Sequence, residues 1–410
     1  MLIYNIGMWL TVIGLRLLAI FDRKAQAGIA GRRDIFEKIR NAIDPDDKTI
    51  WIHCASLGEF EQGRPVIESI KAHHPEYRIL LTFFSPSGYE IRKNYPGADH
   101  IFYLPLDTPD NARQFVNTVK PEIAIFVKYE FWLNYLTCLQ KSGCRTFIIS
   151  AIFRRDSVFF KWYGGIFRQA LRVFEKLFVQ DDNSKELLAS IGIDNVIVAG
   201  DTRFDRVAEV RKSAIPIPTV AAFAEGHKTL VAGSTWPPDD ELLLELAGRH
   251  PDTRFVIAPH ETNEERIEKL MSLCPENKAV RFTRTANEPI PDNIQIMIID
   301  TIGILSSIYA YADVTYIGGG FGVGIHNTLE AAVYGVPVAF GPNYGKFKEA
   351  CDLIGTGAAT DVSDIGQLDK WLSSLWADPK LLESAGRKAG EYVSSHTGAT
   401  GTILGNIFLR

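Results

Sequence analysis

The sequence predicts an α/β protein made of two doubly wound halves, each with a parallel sheet. Three observations carry this. From Lys48 onward, short apolar runs alternate with helix-like stretches, the order that a parallel sheet requires. The alternation lapses once, over residues 205–227, where Pro216 and Pro218 sit in a poorly periodic span, and then resumes. Residues 316–342 read as strand, glycine turn, helix and strand, which is one half of a nucleotide-binding unit.

Length and composition bound the answer. A chain of 410 residues has room for about two to three domains. Its 46% hydrophobic and 23% charged residues are ordinary for a soluble α/β protein, and the net charge of −5 argues against general nucleic-acid binding. The five cysteines are scattered, without a C-x-x-C pair, so neither a zinc site nor a disulfide framework is expected. No H-E-x-x-H, G-x-S-x-G or P-loop spacing occurs, and the glycine run at 318–324 departs from G-x-G-x-x-G, which weakens a dinucleotide reading.

Residues 1–21 carry one charge, Arg16, and as a helix would reach about 30 Å, enough to cross a hydrocarbon layer. Basic residues follow at once (Arg23, Lys24, Arg32, Arg33, Lys38, Arg40), which favours a cytoplasmic position for the rest of the chain. The segment lacks the basic start and small-residue end of a cleaved signal. Residues 1–22 are therefore expected to be an apolar helix that associates with a membrane, spanning it or lying on it. A buried amphipathic helix covering a domain is the other reading.

Strands are expected at 49–54, 78–84, 100–104, 123–128, 145–150, 176–179 and 195–198, with helices at 61–73, 109–118, 131–141 and 184–190. The second half repeats the scheme with strands at 229–232, 254–258, 279–282, 295–299, 313–317 and 336–340, and a late helix at 379–394. The expected layout is a Rossmann-like domain over 23–208, a second over 209–385 facing it across a cleft, and a helical segment 386–410 packing back on the first.

Ligands sit beyond the carboxyl ends of strands in such sheets, and four sets of residues fall there. His53-Cys54-Ala55-Ser56-Leu57-Gly58-Glu59 follows the first strand. Glu59 would sit at a helix start, where the dipole favours its charged form by about 0.3–1 kcal/mol, as a general base needs. An ordinary first-turn glutamate looks the same. Lys128-Tyr129-Glu130-Phe131-Trp132 puts a cation, a carboxylate and aromatics on one rim, or is a plain strand-to-helix corner. In the second half, Gly233-Ser234-Thr235, Pro259-His260-Glu261 and Asp300-Thr301-Ile302-Gly303 end strands near Gly318-Gly319-Gly320, where open amides could meet a phosphate. Asn327 is expected to cap a helix ending at Gly335. Glu330 either closes a capping box or accepts ribose hydroxyls. Finally, Arg154, Arg155, Lys161 and Trp162 interleave basic and aromatic residues over 153–163, which suits a lipid headgroup layer or the solvated face of a core helix.

Taken together, these segments resemble the bacterial 3-deoxy-D-manno-octulosonic acid (Kdo) transferases, which are GT-B glycosyltransferases. The likeness runs through ASLGE at 55–59, KYEFWLN at 128–134, GDTRFDRV at 200–207, AGST at 232–235, DTIG at 300–303 and the stretch HNTLEAAVYGVPVAFGPN that ends at Asn343. It implies transfer of Kdo from CMP-Kdo to a lipid A precursor on the cytoplasmic face of the inner membrane, with inversion and without a metal or cofactor. It implies Glu59 as the base and Glu130 as a second functional carboxylate. Ser234, Thr235, Gly319, Asn327 and Glu330 match positions that hold CMP, which favours the ligand reading of Glu330. Gly233, Pro259, His260, Asp300, Gly303, Gly318 and Gly320 complete the expected donor side; Ser56, Gly58, Lys128, Arg154, Arg155, Lys161 and Trp162 form the expected acceptor and membrane side. Two departures stand out: no arginine precedes His260, and Ile304 replaces a carboxylate common in the family. A UDP-sugar transferase or 2-epimerase and a non-catalytic membrane-bound nucleotide module are the alternatives.

Overall fold

In the computed structural model, which describes residues 1–285, 290–322 and 324–408, the chain forms two units: Met1–Arg206 with Thr397–Arg410, and Val207–His396. The first holds a parallel sheet of β1 (Thr49–Cys54), β2 (Arg78–Phe83), β3 (His100–Tyr103), β4 (Ile123–Val127), β5 (Arg145–Ala151), β6 (Lys176–Val179) and β7 (Val196–Val198). Their order is β3-β2-β1-β4-β5-β6-β7. β1 and β4 are buried along their whole length because helices cover both faces of the sheet, so they read as continuous apolar runs. Strand ends fall within one residue of those expected. The helix after β1 starts at Leu57 rather than 61, since Ser56 is already extended and Gly58 does not interrupt the turn.

The second unit holds β8 (Lys228–Thr235), β9 (Thr253–Pro259), β10 (Ala279–Arg281), β11 (Ile296–Ile298), β12 (Val314–Ile317), β13 (Val338–Phe340) and β14 (Ala359–Asp361). Their order is β10-β11-β9-β8-β12-β13-β14, again parallel. β14 was not expected: three half-buried residues at a sheet edge leave no apolar run to read. The order reverses at β1/β4 in the first sheet and at β8/β12 in the second, where β11 also inserts between β9 and β10, and the carboxyl ends at β1/β4 and β8/β12 form the natural ligand crevices of the fold.

The N-terminal helix α1 (Leu2–Leu18) is 17 residues, about 26 Å, shorter than the sequence suggests. Among the described residues no single helix is long and apolar enough to cross a membrane, and α1 bends by 119° into α2 (Arg23–Gly31). One side of α1 is docked on the first unit: Tyr4 donates to Asp107 Oδ2 at 2.6 Å, Asn134 Nδ2 donates to Asn5 Oδ1 at 3.0 Å, and Met8 and Val12 are buried. Another side exposes Leu2, Ile6, Leu10, Ile13 and Leu17. α2 is followed by α3 (Ile35–Ala42).

The C-terminal return begins later than residue 386. The helix Pro379–Ser395 stays with the second unit, because its Gly386 lies against the Gly335 carbonyl too closely for a Cβ. Only from Thr397 does the chain rejoin the first unit. The helix Ala399–Phe408 buries Ile403 and Ile407 against the core around Ile50, Val66 and Ile70. Asp205 accepts bonds from the Gly398 amide (2.6 Å), the Thr400 amide (2.6 Å) and the Thr400 hydroxyl (2.7 Å) at that helix start.

Candidate functional site

The first unit brings both expected carboxylates to the neighbouring ends of β1 and β4. α4 (Leu57–His73) starts right after β1, with Glu59 half-buried in its first turn. Ser56 makes no cap bond; its hydroxyl donates to Glu59 Oε2 in a short hydrogen bond. Gly58 beside it is exposed, which keeps the helix start open.

Glu130 is buried, and its Oε2 faces two nitrogens, Trp132 Nε1 at 2.6 Å and His53 Nε2 at 3.2 Å. His53 Nδ1 lies 2.9 Å from Thr82 Oγ1 and 3.1 Å from the Thr82 carbonyl. Trp51 Nε1 donates to the same Thr82 hydroxyl at 2.8 Å. An indole only donates, so Thr82 Oγ1 accepts from Trp51. Trp132 Nε1 also donates to His53 Nε2 at 3.1 Å. Trp51, Thr82, His53, Trp132 and Glu130 thus form one connected polar cluster at the ends of β1, β2 and β4. Sequence reasoning placed Glu130 but missed Thr82, which lies on β2 and has no motif of its own.

Other expected residues of this unit are placed differently. Lys128 takes a left-handed φ of 70° and sits 5.3 Å over the Tyr129 ring, so its cation is turned to a neighbour. Residues 153–163 form no regular helix beyond the 3-10 turn Val158–Phe160. Phe153 and Phe159 enter the core, while Arg154, Arg155 and Trp162 (91% exposed) stay outside. Arg168 holds the segment through the carbonyls of Phe159 (3.0 Å) and Lys161 (2.8 Å).

In the second unit the glycine turn is closed by the protein itself. A Cβ on Gly318 would overlap the Ser234 carbonyl, one on Gly320 would overlap Gly341, and one on Gly233 would overlap the Tyr309 hydroxyl. These glycines serve close packing rather than ligand approach. The Gly318 amide donates to the Gly233 carbonyl at 2.9 Å, and the Gly319 amide donates to Asp239 Oδ2 at 2.9 Å. The expectation of open amides therefore fails at Gly318 and Gly319. Asp239, buried in the first turn of the helix Pro237–Arg249, also accepts from the Tyr316 hydroxyl (2.8 Å) and the Trp236 amide (2.9 Å).

Thr235 is likewise turned inward: it ends β8, is buried, and donates to Asp240 Oδ1 at 2.7 Å. Ser234 beside it has a φ of 56°, breaks the β8–β9 register and stays half-buried. Asp300 is occupied by Arg281 Nε (2.8 Å), the Thr283 amide (2.9 Å) and the Thr283 hydroxyl (2.5 Å). Burial opposes its charge, but these bonds hold its carboxyl below the usual range. Gly303, at a φ of 88°, is exposed.

What remains open lies beyond β9 and β12. His260, which follows buried Pro259, is exposed and stacks at 4.6 Å on both Trp236 and His326. Trp236 Nε1 donates to His326 Nε2 at 3.1 Å, so the His326 ring keeps its proton on Nδ1. Burial, with His260 nearby, pushes the His326 pKa down to about 4 and keeps the ring neutral.

The helix after the glycine turn is only Leu329–Ala332, not 327–335. Asn327 does not act as a full cap; Oδ1 accepts from the Leu329 amide at 3.2 Å and Nδ2 donates to Glu330 Oε1 at 3.0 Å. The backbone capping-box geometry is replaced by this side-chain pair. Between them Thr328 is fully buried and its hydroxyl has no partner among the described residues. Trp236, Asp239, His326 and Thr328 were missed from sequence, although His326 and Thr328 lie inside the HNTLE segment. Among the described residues no group of three or more His, Cys, Asp or Glu stands ready for a metal.

Comparison with known proteins gives this geometry a context. Residues 29–206 match the family model described as 3-Deoxy-D-manno-octulosonic-acid transferase (kdotransferase). The 3-deoxy-D-manno-octulosonic acid transferase of Bordetella pertussis is 27% identical over 409 residues, covering 94% of this chain and 94% of that protein. The protein of the same name from Haemophilus influenzae is 24% identical, covering 89% of this chain and 87% of its own length. Among solved structures, UDP-GlcNAc 2-epimerase from Neisseria meningitidis aligns with a TM-score of 0.60 at 16% identity, over 88% of this chain and 100% of that one, a likeness of fold alone. With its two α/β units in a GT-B-like fold, the chain is similar to the 3-deoxy-D-manno-octulosonic acid transferases over most of its length.

Proposed function

We propose that the chain transfers Kdo from CMP-Kdo to a lipid A precursor, with inversion, in lipopolysaccharide synthesis. The observation that carries the reading is the pair Glu59 and Glu130 at the adjoining ends of β1 and β4, inside the stretch that matches the Kdo transferase family. In this reading an acceptor hydroxyl attacks the anomeric carbon of Kdo, and its proton passes to Glu59. The bond from that carbon to the phosphate oxygen breaks, and CMP leaves with the electron pair. General-base help of this kind is worth about 10²–10⁴ in rate. Glu130, gripped by Trp132 and His53, orients the acceptor.

The donor falls to the second unit. The orphan Thr328 hydroxyl, the Asn327–Glu330 pair, Ser234 and the neutral His326 offer hydrogen bonds to a nucleotide phosphate and ribose. In this reading no resident metal or cofactor is called for. The exposed apolar side of α1, with Arg154, Arg155 and Trp162, supports a place at the cytoplasmic face of the inner membrane.

The test is mass spectrometry of the lipid precursor after incubation with CMP-Kdo and the purified protein. A mass gain of one or more Kdo units is expected. Turnover of a UDP-sugar with none of CMP-Kdo would remove the reading. In the same assay Glu59→Ala is expected to lose at least about 10² in rate with its melting temperature unchanged. An undiminished rate would take Glu59 out of the mechanism.

A further inference from the structure

A cavity of about 650 Å³ opens between α1, α2, α3 and the connection after β3. One wall is apolar, made by Trp9, Val12 and Leu15 of α1 with Ile29, Phe36 and Leu106. The other is rich in arginine. Arg32 is spent inward, donating to the carbonyls of Leu104 (2.7 Å), Gly28 (2.8 Å) and Phe84 (2.6 Å), and so pins α2 to the ends of β2 and β3. The side chains of Arg16, Arg33 and Arg40, by contrast, make no hydrogen bond or ion pair among the described residues. Asp34, Glu37 and Asp110 also line the space; Asp110 lies 3.8 Å from Arg113. Three unpaired guanidinium groups therefore face two unpaired carboxylates. None of the lining residues belongs to the ends of β1, β4, β8 or β12, so the cavity is separate from the candidate site.

We infer that this cavity takes the phosphate-bearing headgroup and upper acyl segment of an anionic glycerophospholipid, with α1 lying along the bilayer surface rather than across it. The inference rests on the membrane reading given above. Trp9, Val12 and Arg16 follow one face of α1 at i, i+3, i+7 spacing, and that face adjoins the exposed stripe of Leu2, Ile6, Leu10, Ile13 and Leu17. A lipid held by its acyl chain along that stripe has its phosphate beside Arg16. Guanidinium groups suit a phosphate because two N–H groups meet two oxygens. Asp34 and Glu37 are acceptors for glycerol hydroxyls, which accounts for acids in an otherwise cationic wall. The volume lies in the range of small-ligand sites. The docking of Tyr4 and Asn5 on the domain and the 119° bend after α1 both oppose an upright helix.

The experiment titrates the full chain by calorimetry with short-chain phosphatidylglycerol below its micellar concentration. Phosphatidylcholine of equal chain length, glycerol 3-phosphate and inorganic phosphate serve as comparison ligands. Saturable one-to-one binding of phosphatidylglycerol is expected, at least about tenfold tighter than the others, and weakened at least about tenfold by the triple change Arg16→Gln, Arg33→Gln, Arg40→Gln. Equal binding of phosphatidylcholine, an unweakened triple variant, or inorganic phosphate binding as tightly as the lipid would each overturn the inference. Spin labels on Leu2→Cys and Leu17→Cys in lipid nanodiscs should report the same depth; labels on opposite sides of the bilayer would sink the in-plane helix. Kdo transfer to detergent-dispersed acceptor is assayed alongside. Transfer without lipid binding removes this inference alone, and lipid binding without transfer removes the catalytic reading alone.

Discussion

Thr328 carries a desolvation cost. Among the described residues its hydroxyl is buried without a partner at the start of the helix Leu329–Ala332, between Asn327 and the rest of that helix. Burying an unpaired hydroxyl costs about 1–3 kcal/mol, so Thr328→Val should leave stability unchanged or raise it by about 1 kcal/mol. In the same variant the affinity for CMP should fall about five- to tenfold, the worth of roughly one hydrogen bond. Urea unfolding and calorimetry with CMP measure the two effects; lower stability with unchanged CMP affinity would make Thr328 a packing residue only. At this scale Glu59 was legible from sequence because its place after a buried strand marks the ligand end of the sheet. The polar cluster around Glu130 was not, because Trp51, Thr82 and His53 meet only once β1 and β2 pair in register.

The elements were legible wherever both faces of a strand are covered, as in β1 and β4, and misread where backbone bonds are settled by distant side chains. The glycine turn after β12 looks like a phosphate cradle, yet Asp239, some eighty residues earlier in the chain, takes the Gly319 amide. α1 shows the same dependence on distant groups. Asp107 is fully buried where it accepts from Tyr4 and from the amides of Asn134 and Tyr135, and burial pushes its pKa up to about 7. A carboxyl raised in the folded state binds its proton more tightly folded than unfolded. Its contribution is therefore present at low pH and is lost as pH rises from the usual carboxylate range, about 4, through about 7. The melting temperature should then fall between pH 5.5 and pH 8, and Asp107→Asn should flatten that part of the profile. An identical slope in the variant would show that Asp107 does not titrate there.

At the scale of the whole molecule, the chain leaves its first unit near Arg206 and returns to it at Thr397. The returning helix is held by Asp205 at its start and by the stacking of Phe408 on His74 at 3.7 Å near its end. Ile403 and Ile407 are fully buried there, each worth about 1.5–3 kcal/mol. Removal of residues 397–410 is accordingly expected to destabilise the first unit by at least about 3 kcal/mol, while the second keeps its core. Differential scanning calorimetry should show one transition shifted down and one unchanged. Two unshifted transitions would mean that the helix is dispensable.

From the sequence alone came the α/β class, the two halves, nearly every strand and the family resemblance, because periodic burial and the ASLGE, KYEFW and HNTLE segments are local patterns. The tertiary structure decided which groups remain free for chemistry. Whether the amide of Gly319, the hydroxyl of Thr235 or the carboxylate of Asp300 is open depends on Asp239, Asp240 and Arg281. A hydrogen bond formed with a partner far along the chain, or on another turn of it, leaves no periodic trace in the sequence, and so availability is a property of the folded molecule.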